Sequence, residues 1–321
     1  MKKITKYMAT LLLCFWLLPV QAFAKELIPV GQIIGLALRD DTVTIAAFDE
    51  TLGKDAKTAG IQVGDRIVSI DGKAVRSTED VRIALEQSDG TIDMAVNRDG
   101  TQKNYQLMPQ ITSAGPKLGL YLRQGITGVG TVTYYDPDTG AFGTLGHGVN
   151  GADGKLLQMT QGNAYNARVL TVRKGRAGEP GQLMGAVDSD EPIGILTANT
   201  DRGVFGVTEI GWQAEAMDVA SSSEVKTGAA SIRSTVSGNE VREYSVEILK
   251  IYPKSRQNGR NLLLRVTDPA LLEATGGIVQ GMSGSPIIQN GKLIGAVTHV
   301  LVNQPDTGYG IFIENMLDAA G

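Results

Sequence analysis

The sequence predicts a mainly β fold in two domains, and three observations point to it. The chain has 321 residues, which is enough for two domains of ordinary size. Its 40 glycines are interspersed with short runs of valine, isoleucine and threonine, as in strands joined by tight turns. The composition, 42% hydrophobic and 20% charged, is that of a globular protein. A net charge of −4 argues against a nucleic-acid partner, which favours a basic face.

The first 24 residues have the pattern of an export signal. Three lysines near the start precede an apolar run from Met8 to Val20, and an Ala-x-Ala cleavage sequence ends at Ala24. The apolar run is shorter than the roughly 20 residues that span a bilayer. We therefore expect cleavage after Ala24, with retention of residues 1–24 as a membrane anchor as the alternative.

Cysteine and histidine are too scarce for several kinds of chemistry. Cys14 is the single cysteine and lies inside the signal segment, so the cleaved product contains no thiol. Disulfides, thiol catalysis and cysteine-ligated zinc are then excluded. His147 and His299 are the two histidines, which argues against a histidine-rich metal site. We expect neither a metal nor a cofactor.

Residues 27–110 predict a small β-rich module. The spacing of Val81, Ala84 and Leu85 indicates a helix over residues 78–87, for which Ser77 or Thr78 is the expected N-cap. The predicted strands are Val43–Phe48, Arg66–Ile70, Thr91–Val96 and Gln102–Leu107.

The module resembles a PDZ domain. The resemblance rests on "AGIQVGDRIVSIDGKAV" (59–75), on the helix that follows it and on the upstream "IIGLAL" (33–38). It implies that the backbone of Gly35, Leu36, Ala37 and Leu38 binds the C-terminal carboxylate of an extended peptide by strand addition. The alternative is a PDZ fold that serves as a rigid spacer or docks its own chain.

Residues 111–321 predict a barrel or sandwich of short strands after a linker at Pro109–Pro116. The segment Ser221–Asn239 is rich in serine, threonine, glycine and alanine, which predicts a surface loop. The predicted strands are Gly128–Tyr135, Ala141–Leu145, Ala167–Val172, Leu183–Val187, Ile193–Leu196, Val204–Ile210, Tyr244–Ile251 and Asn261–Val266.

Ser283 is the candidate nucleophile. A serine hydroxyl needs a base within hydrogen-bond reach and donors for the oxyanion that forms on attack. Gly281 and Gly284 allow an unusual turn in which the N–H groups of Gly281 and Ser283 would form that oxyanion hole. The alternative is a glycine-rich β-bulge, and Ser285 is the competing nucleophile.

The longer stretch "GMSGSPIIQNGKLIGAVTHV" (281–300) resembles the active-site hairpin of chymotrypsin-like serine proteases. The resemblance implies a double β-barrel in which Val297, Thr298 and His299 pair with the substrate backbone. His147, in "GTLGHGV", precedes Ser283 along the chain, which is the order in which this fold class places its base. The alternative for His147 is a structural histidine in a glycine turn.

The whole assembly is similar to the stage IV sporulation protein B (SpoIVB) peptidase family. The motifs that carry this resemblance are the signal segment, the PDZ domain, "LGHGV", "TDPALLEATGGIVQGMSGSPIIQNGKLIGAVTHV" and "GYGIFIENML". It implies an exported, self-cleaving serine endopeptidase acting between the mother-cell and forespore membranes. Such a protein cleaves the regulatory subunit of an intramembrane metalloprotease, of the stage IV sporulation protein FA type, which leads to pro-sigma-K processing.

The same resemblance assigns Asp268 as the acid that orients His147. An acid in this place holds the tautomer of the imidazole. Asp268 is followed by a proline, so its alternative role is the N-cap of a helix over Ala270–Ala274. Asp188, Asp190 and Asp218 are the other candidates for the acid.

Met282 replaces the acidic residue that pairs with a new N-terminus in digestive relatives, so control of activity must work differently. We expect control through the PDZ domain, whose ligand would come from the chain's own N-terminal region or from a membrane-bound partner. Two other functions remain open: a catalytically silent PDZ scaffold between membranes, and a housekeeping quality-control serine protease.

Overall fold

A computed structural model describes residues 25–151, 154–256 and 259–321. The predicted signal segment lies outside these residues. Within them, no helix is both long and apolar enough to cross a membrane.

The described chain up to residue 207 contains two helices and thirteen strands. The strands are β1 (Glu26–Pro29), β2 (Ile33–Phe48), β3 (Arg66–Ile70), β4 (Lys73–Ala74), β5 (Ile92–Arg98), β6 (Thr101–Leu107), β7 (Gln110–Thr112), β8 (Gly115–Lys117), β9 (Leu120–Tyr135), β10 (Ala141–Thr144), β11 (Gln161–Arg173), β12 (Gln182–Thr200) and β13 (Gly203–Val207). The helices are α1 (Lys54–Thr58) and α2 (Thr78–Gln87).

The C-terminal part contains the remaining elements of the described chain. These are β14 (Met217–Asp218), β15 (Gly228–Ser237), β16 (Glu240–Ile251), β17 (Leu262–Val266), α3 (Pro269–Thr275), β18 (Pro286–Gln289), β19 (Lys292–Leu301), β20 (Gln304–Phe312) and α4 (Ile313–Ala320).

Six antiparallel strands close the first barrel. Around the barrel, β2 pairs with β9, β9 with β10, β10 with β13, β13 with β12, β12 with β11 and β11 with β2 again. Its interior is filled by aliphatic and aromatic side chains, among them Ile34, Leu36, Val132, Phe142 and Leu196.

The second barrel is also closed by six strands, in the order β15-β16-β17-β20-β19-β18. Its core includes Ile232, Val246, Leu264, Ile287 and Val297, all of them buried. Two β-barrels together with a PDZ region confirm the predicted mainly β fold class.

The PDZ domain is inserted within a hairpin of the first barrel. Strand β2 pairs with β9 over Ile33–Leu38 in the barrel and again over Val43–Phe48 in the PDZ domain. The second halves of β2 and β9 share a separate core with β3, β5 and α2. Two long strands therefore run from one domain into the other.

This insertion corrects the predicted boundaries of 27–110 and 111–321. Residues 27–38 belong to the first barrel, because β1 and the first half of β2 pair with its strands. The PDZ core extends past residue 110 to Leu118, Leu120 and Leu122. The linker predicted at Pro109–Pro116 is largely the β7–β8 hairpin.

Local patterns predicted most single elements correctly. Helix α2 spans residues 78–87 as predicted, and the Ser77 hydroxyl caps it by accepting from the Asp80 N–H. The surface loop predicted at Ser221–Asn239 is wrong, because β15 occupies much of it and buries Ile232, Ser234 and Thr235. Small polar residues can line a buried strand when their hydroxyls find partners, as Thr235 Oγ1 does at the Gly31 carbonyl.

Candidate active site

Ser283 lies in the turn between α3 and β18. It is half-buried, and its Oγ donates a hydrogen bond of 2.9 Å to the carbonyl of Thr298 on β19. The competing Ser285 is fully buried and donates to the Ser234 hydroxyl at 3.0 Å. Of these two serines, Ser283 is therefore the one that a substrate can reach.

The turn around Ser283 leaves two N–H groups free for an oxyanion. The N–H groups of Met282 and Gly284 donate to carbonyls of the protein, at 3.1 and 2.7 Å. Those of Gly281 and Ser283 donate to no residue that the structure describes. Gly281 and Gly284 adopt φ values of 99° and 97°, and a Cβ at Gly284 would lie 1.9 Å from the Thr131 carbonyl oxygen. Glycine is thus required at 284, and the free donors match the predicted oxyanion hole.

Two buried threonines of β9 hold this turn from the first barrel. Thr131 Oγ1 donates to the Gly281 carbonyl at 2.8 Å, and the Thr131 N–H donates to the Ser283 carbonyl at 3.0 Å. Thr133 Oγ1 donates to the Gly284 carbonyl at 2.8 Å. Sequence reasoning missed both residues; the available signal was their alternation with Val132 and Tyr134, which places two threonines side by side on one face of the strand.

His147 follows β10 and shares a pocket with Ser283. Its Nδ1 donates to the Gly148 carbonyl at 2.9 Å, which leaves Nε2 as the acceptor in the neutral ring. Burial lowers the pKa of His147, and the hydrogen bond to Gly148 opposes this shift. His147 is therefore neutral near pH 7, the state that a general base needs. Leu145 has a φ of 68°, a rare conformation for a residue with a side chain, two positions before this histidine.

The predicted substrate strand lies beside His147. The ring centroids of His147 and His299 are 5.3 Å apart, and Val297 and Thr298 are buried on the same strand. Burial, the neighbouring His147 and Arg260 lower the pKa of His299 to about 4. The Thr298 carbonyl, now bonded to Ser283, is also the acceptor that a paired substrate backbone would need.

Asp268 is the N-cap of α3. Its carboxylate accepts from the Leu271 N–H at 3.0 Å and from the Ser245 N–H at 3.4 Å. The structure thus shows the capping alternative, and within the described residues the partner of His147 Nδ1 is the Gly148 carbonyl. The Gly148 carbonyl fixes the same tautomer of the His147 ring that an acidic partner would fix. The role of Asp268 in orienting His147 stays a prediction from the resemblance.

The other acidic candidates lie on β12 and β14. Asp188 forms an ion pair of 3.0 Å with Arg168, and Asp218 lies on β14 opposite Glu26. Asp190 is exposed on β12. Among the described residues, none of the three is hydrogen-bonded to His147.

The peptide-binding role predicted for Gly35, Leu36, Ala37 and Leu38 is wrong. These residues pair with β9 along one edge of β2 and with β11 along the other, so no edge is free to add a strand. Leu36 and Leu38 are buried in the first barrel.

A groove with PDZ geometry lies instead between α2 and the start of β9. It encloses about 460 Å³, and its apolar lining includes Val81 and Leu85 from the helix and Leu118, Leu120 and Leu122 from the strand side. Over residues 120–124, β9 pairs with β2 along one edge, and no strand of the described chain pairs with the other. The local signal was "KLGLYL" (117–122), which is as similar to a peptide-binding loop as "IIGLAL" is.

Two family models match parts of the chain. Residues 115–317 match the model of the family described as SpoIVB peptidase S55, and residues 56–98 match that of a PDZ domain. The class is therefore that of serine endopeptidases with an associated PDZ domain. Since the first match covers more than half of the chain, the protein belongs to the SpoIVB peptidase S55 family.

Curated relatives match over shorter stretches. A Rhizobium meliloti protein named "Putative zinc metalloprotease R01501" is 33% identical over 101 residues, which cover 31% of this chain and 26% of the relative. An Agrobacterium fabrum protein, "Putative zinc metalloprotease Atu1380", is 28% identical over 160 residues, which cover 48% of this chain and 39% of the relative. The chain thus spans less than half the length of these relatives. Among its described residues, no cluster of His, Cys, Asp or Glu could hold a metal ion.

Two solved structures are also similar. The Rv3671c protease of M. tuberculosis in its active form has 16% identity and a TM-score of 0.37, covering 62% of this chain and 75% of that chain. The PDZ domain of the SdrC-like protein Lmo2051 from Listeria monocytogenes has 19% identity and a TM-score of 0.22. The match covers 26% of this chain and 87% of that chain.

Proposed function

We propose that the protein is an exported serine endopeptidase that signals during endospore formation. Its substrate is the regulatory subunit of an intramembrane metalloprotease, of the stage IV sporulation protein FA type, and cleavage leads to pro-sigma-K processing. The protein also cleaves itself. The observation that carries the proposal is the family match over residues 115–317, which includes the Ser283 turn with its two free N–H groups.

The chemistry follows from the residues of the site. Ser283 turns from the Thr298 carbonyl toward His147, which accepts the hydroxyl proton as Oγ attacks the scissile carbonyl. The N–H groups of Gly281 and Ser283 stabilise the oxyanion, and the substrate N–H takes over the freed Thr298 carbonyl. His147 then delivers its proton to the leaving amine.

The PDZ groove provides the place for control. A peptide added to the free edge of β9 at residues 120–122 would lie on the strand that also reaches the Ser283 turn through Thr131. The ligand is a segment of the chain's own N-terminal region or of a membrane-bound partner. This location supports an active peptidase with a regulatory PDZ domain over a catalytically silent scaffold.

The proposal is tested with the purified protein and the extracytoplasmic part of the regulatory subunit. Wild-type protein should release defined fragments, and Ser283→Ala should fold normally but lower turnover by roughly 10⁶-fold. Leu122→Glu places a charge in the PDZ groove and should alter the rate of subunit cleavage, whereas Arg123→Glu, exposed on the other face of β9, is its matched control.

Intact subunit after prolonged incubation with wild-type protein would contradict the proposed substrate. Normal subunit cleavage and self-cleavage by folded Leu122→Glu would leave the PDZ domain as a passive spacer.

A further inference from the structure

We propose that the pocket beside Ser283 is a specificity site for an aliphatic side chain on the leaving-amine side of the scissile bond, at the position called P1′. The inference rests on the proposed peptidase function and names part of its substrate class. The pocket encloses about 230 Å³ and is bordered by His147, Gln280, Gly281 and Ser283. Its apolar walls come from the first barrel: Leu36, Leu38, Ile126, Val129, Leu145 and Val149.

The position of the pocket relative to the catalytic groups defines which side of the substrate it binds. The Thr298 carbonyl lies 2.9 Å from Ser283 Oγ, so the substrate strand, and with it the acyl part of the substrate, is on the β19 side. The pocket contains none of the three residues of that strand but does contain His147. Because the base that accepts the serine proton gives it to the leaving amine, the leaving residue lies on the side of His147.

The residues that line the pocket favour an aliphatic P1′ side chain. Six of the bordering residues are aliphatic, and none carries a carboxylate, an ammonium or a guanidinium group. A charged side chain would lose its hydration there without gaining an ionic partner. The volume is below the roughly 300–1,000 Å³ of pockets that take a drug-sized ligand, which suits one residue of a peptide.

Gly128 offers a way to fill this pocket without disturbing the barrel. It pairs directly with Leu36 and so shares a face of the sheet with it, as Ile126 does with Leu38. A Cβ built on Gly128 meets no atom within 4 Å, whereas one on Gly130 would lie 2.3 Å from a Leu145 methyl. A larger residue at 128 therefore extends into open space on the face that lines the pocket.

The test begins with a proteome-derived peptide library, in which mass spectrometry identifies the bonds that the wild-type protein cleaves. Peptides that match one cleaved sequence, and differ only at P1′, are then compared. We expect kcat/KM for leucine at P1′ to exceed that for alanine by at least about tenfold, and that for lysine or glutamate by more. Gly128→Val should reduce the leucine preference and leave the alanine peptide nearly unaffected. Thr127→Val, on the opposite face of the same strand, should keep the wild-type ratios.

Equal rates across the P1′ series would overturn the inference while leaving the peptidase function intact. An unchanged leucine preference in folded Gly128→Val would overturn the assignment to this pocket. If no peptide is cleaved by a protein of normal melting temperature, the proposed function fails and this inference fails with it. If Gly128→Val does not fold, the wild-type series decides.

Discussion

The hydroxyl of Ser283 is held by the wrong partner for catalysis. It donates to the Thr298 carbonyl, while His147 is tied through Nδ1 to the Gly148 carbonyl. Both contacts have a use, since the first reserves an acceptor for the substrate backbone and the second presents Nε2 as the base. A substrate N–H that binds the Thr298 carbonyl would displace the Ser283 hydroxyl from it. Rotation of the Ser283 side chain toward His147 would then complete the catalytic pair.

The pH dependence of the reaction should report His147. Burial lowers its pKa below 6.5, and the neutral ring is the active form, so kcat/KM should rise with pH along an acidic limb centred below pH 6.5. The measurement is kcat/KM against pH for a peptide without ionisable side chains.

His299→Phe is the matched control for that profile. It keeps an aromatic ring beside His147, and among the described residues the buried Nδ1 of His299 has no hydrogen-bond partner to lose. Since His299 has a pKa of about 4, the limb should remain in this variant. A limb centred at or above pH 6.5, or one that disappears with His299→Phe, would contradict the assignment of His147 as the base.

At this scale the sequence predicts candidate catalytic groups but not the groups that hold them in place. Ser283, Gly281 and His147 have distinctive local patterns, so they could be proposed without a structure. The Gly148 carbonyl and the Thr131 hydroxyl could not, because their roles depend on contacts between residues far apart in the chain. Asp268 shows the same limit, since an Asp-Pro pair predicts a cap as readily as a catalytic acid.

Strand β9 connects the functional parts of the molecule. Its first residues border the PDZ groove, its middle lines the P1′ pocket, and its last third holds the Ser283 turn through Thr131 and Thr133. The two domains meet at Gly125, where φ is 76° and a Cβ would lie 1.9 Å from the Leu38 carbonyl oxygen. Only glycine fits this crossing point of the two shared strands.

Thr131→Val should show whether Thr131 positions the oxyanion donors without contributing to substrate binding. The change keeps the shape of the side chain but removes its hydrogen bond and leaves the Gly281 carbonyl without that partner. A small displacement of the oxyanion donors can cost about 10²-fold in rate, so kcat should fall by roughly 10- to 100-fold while KM changes little. Steady-state kinetics on the wild-type and variant proteins measure this split.

Thr133→Val is the control, because Thr133 is as fully buried as Thr131 and its hydroxyl makes a bond of the same length, to the Gly284 carbonyl. Both variants should lose about 1–3 kcal/mol of unfolding free energy. Thr131→Ser, which keeps the hydroxyl, should restore most of kcat. Equal falls of kcat in the two valine variants would assign Thr131 a purely structural role.

Helices and strands were predicted correctly where a local sequence pattern defines them. The prediction failed where strand pairing between distant residues determines whether a segment is buried. Helix α2 and its Ser77 cap follow from their own residues. Strand β15 was missed because its alternation is between apolar and small hydroxyl residues, whose burial depends on partners such as Ser285 and Gly31. The sequence places both halves of β2 in one domain, because nothing in the strand itself shows that its partner changes from β11 in the barrel to β3 in the PDZ domain.

At the scale of the whole molecule, the candidate active site is assembled from stretches that lie far apart in the chain. The first barrel supplies His147 and most of the pocket lining, and the second supplies Ser283 and the predicted substrate strand. The PDZ domain is inserted between β2 and β9 of the first barrel, so residues 33–38 belong to the barrel although their sequence resembles a PDZ loop. Similar short motifs at 33–38 and 117–122 could be told apart only by their strand partners.

Reaction of the wild-type protein with a serine-reactive phosphonate probe tests the central claim most directly. Mass spectrometry of the labelled protein should place the adduct on Ser283, and Ser283→Ala should take up no label. Ser285→Ala should be labelled normally, because that hydroxyl is buried against Ser234, and His147→Asn should lose most of the labelling rate at unchanged melting temperature. An adduct on Ser285, or an unlabelled wild-type protein that is fully folded, would contradict the account.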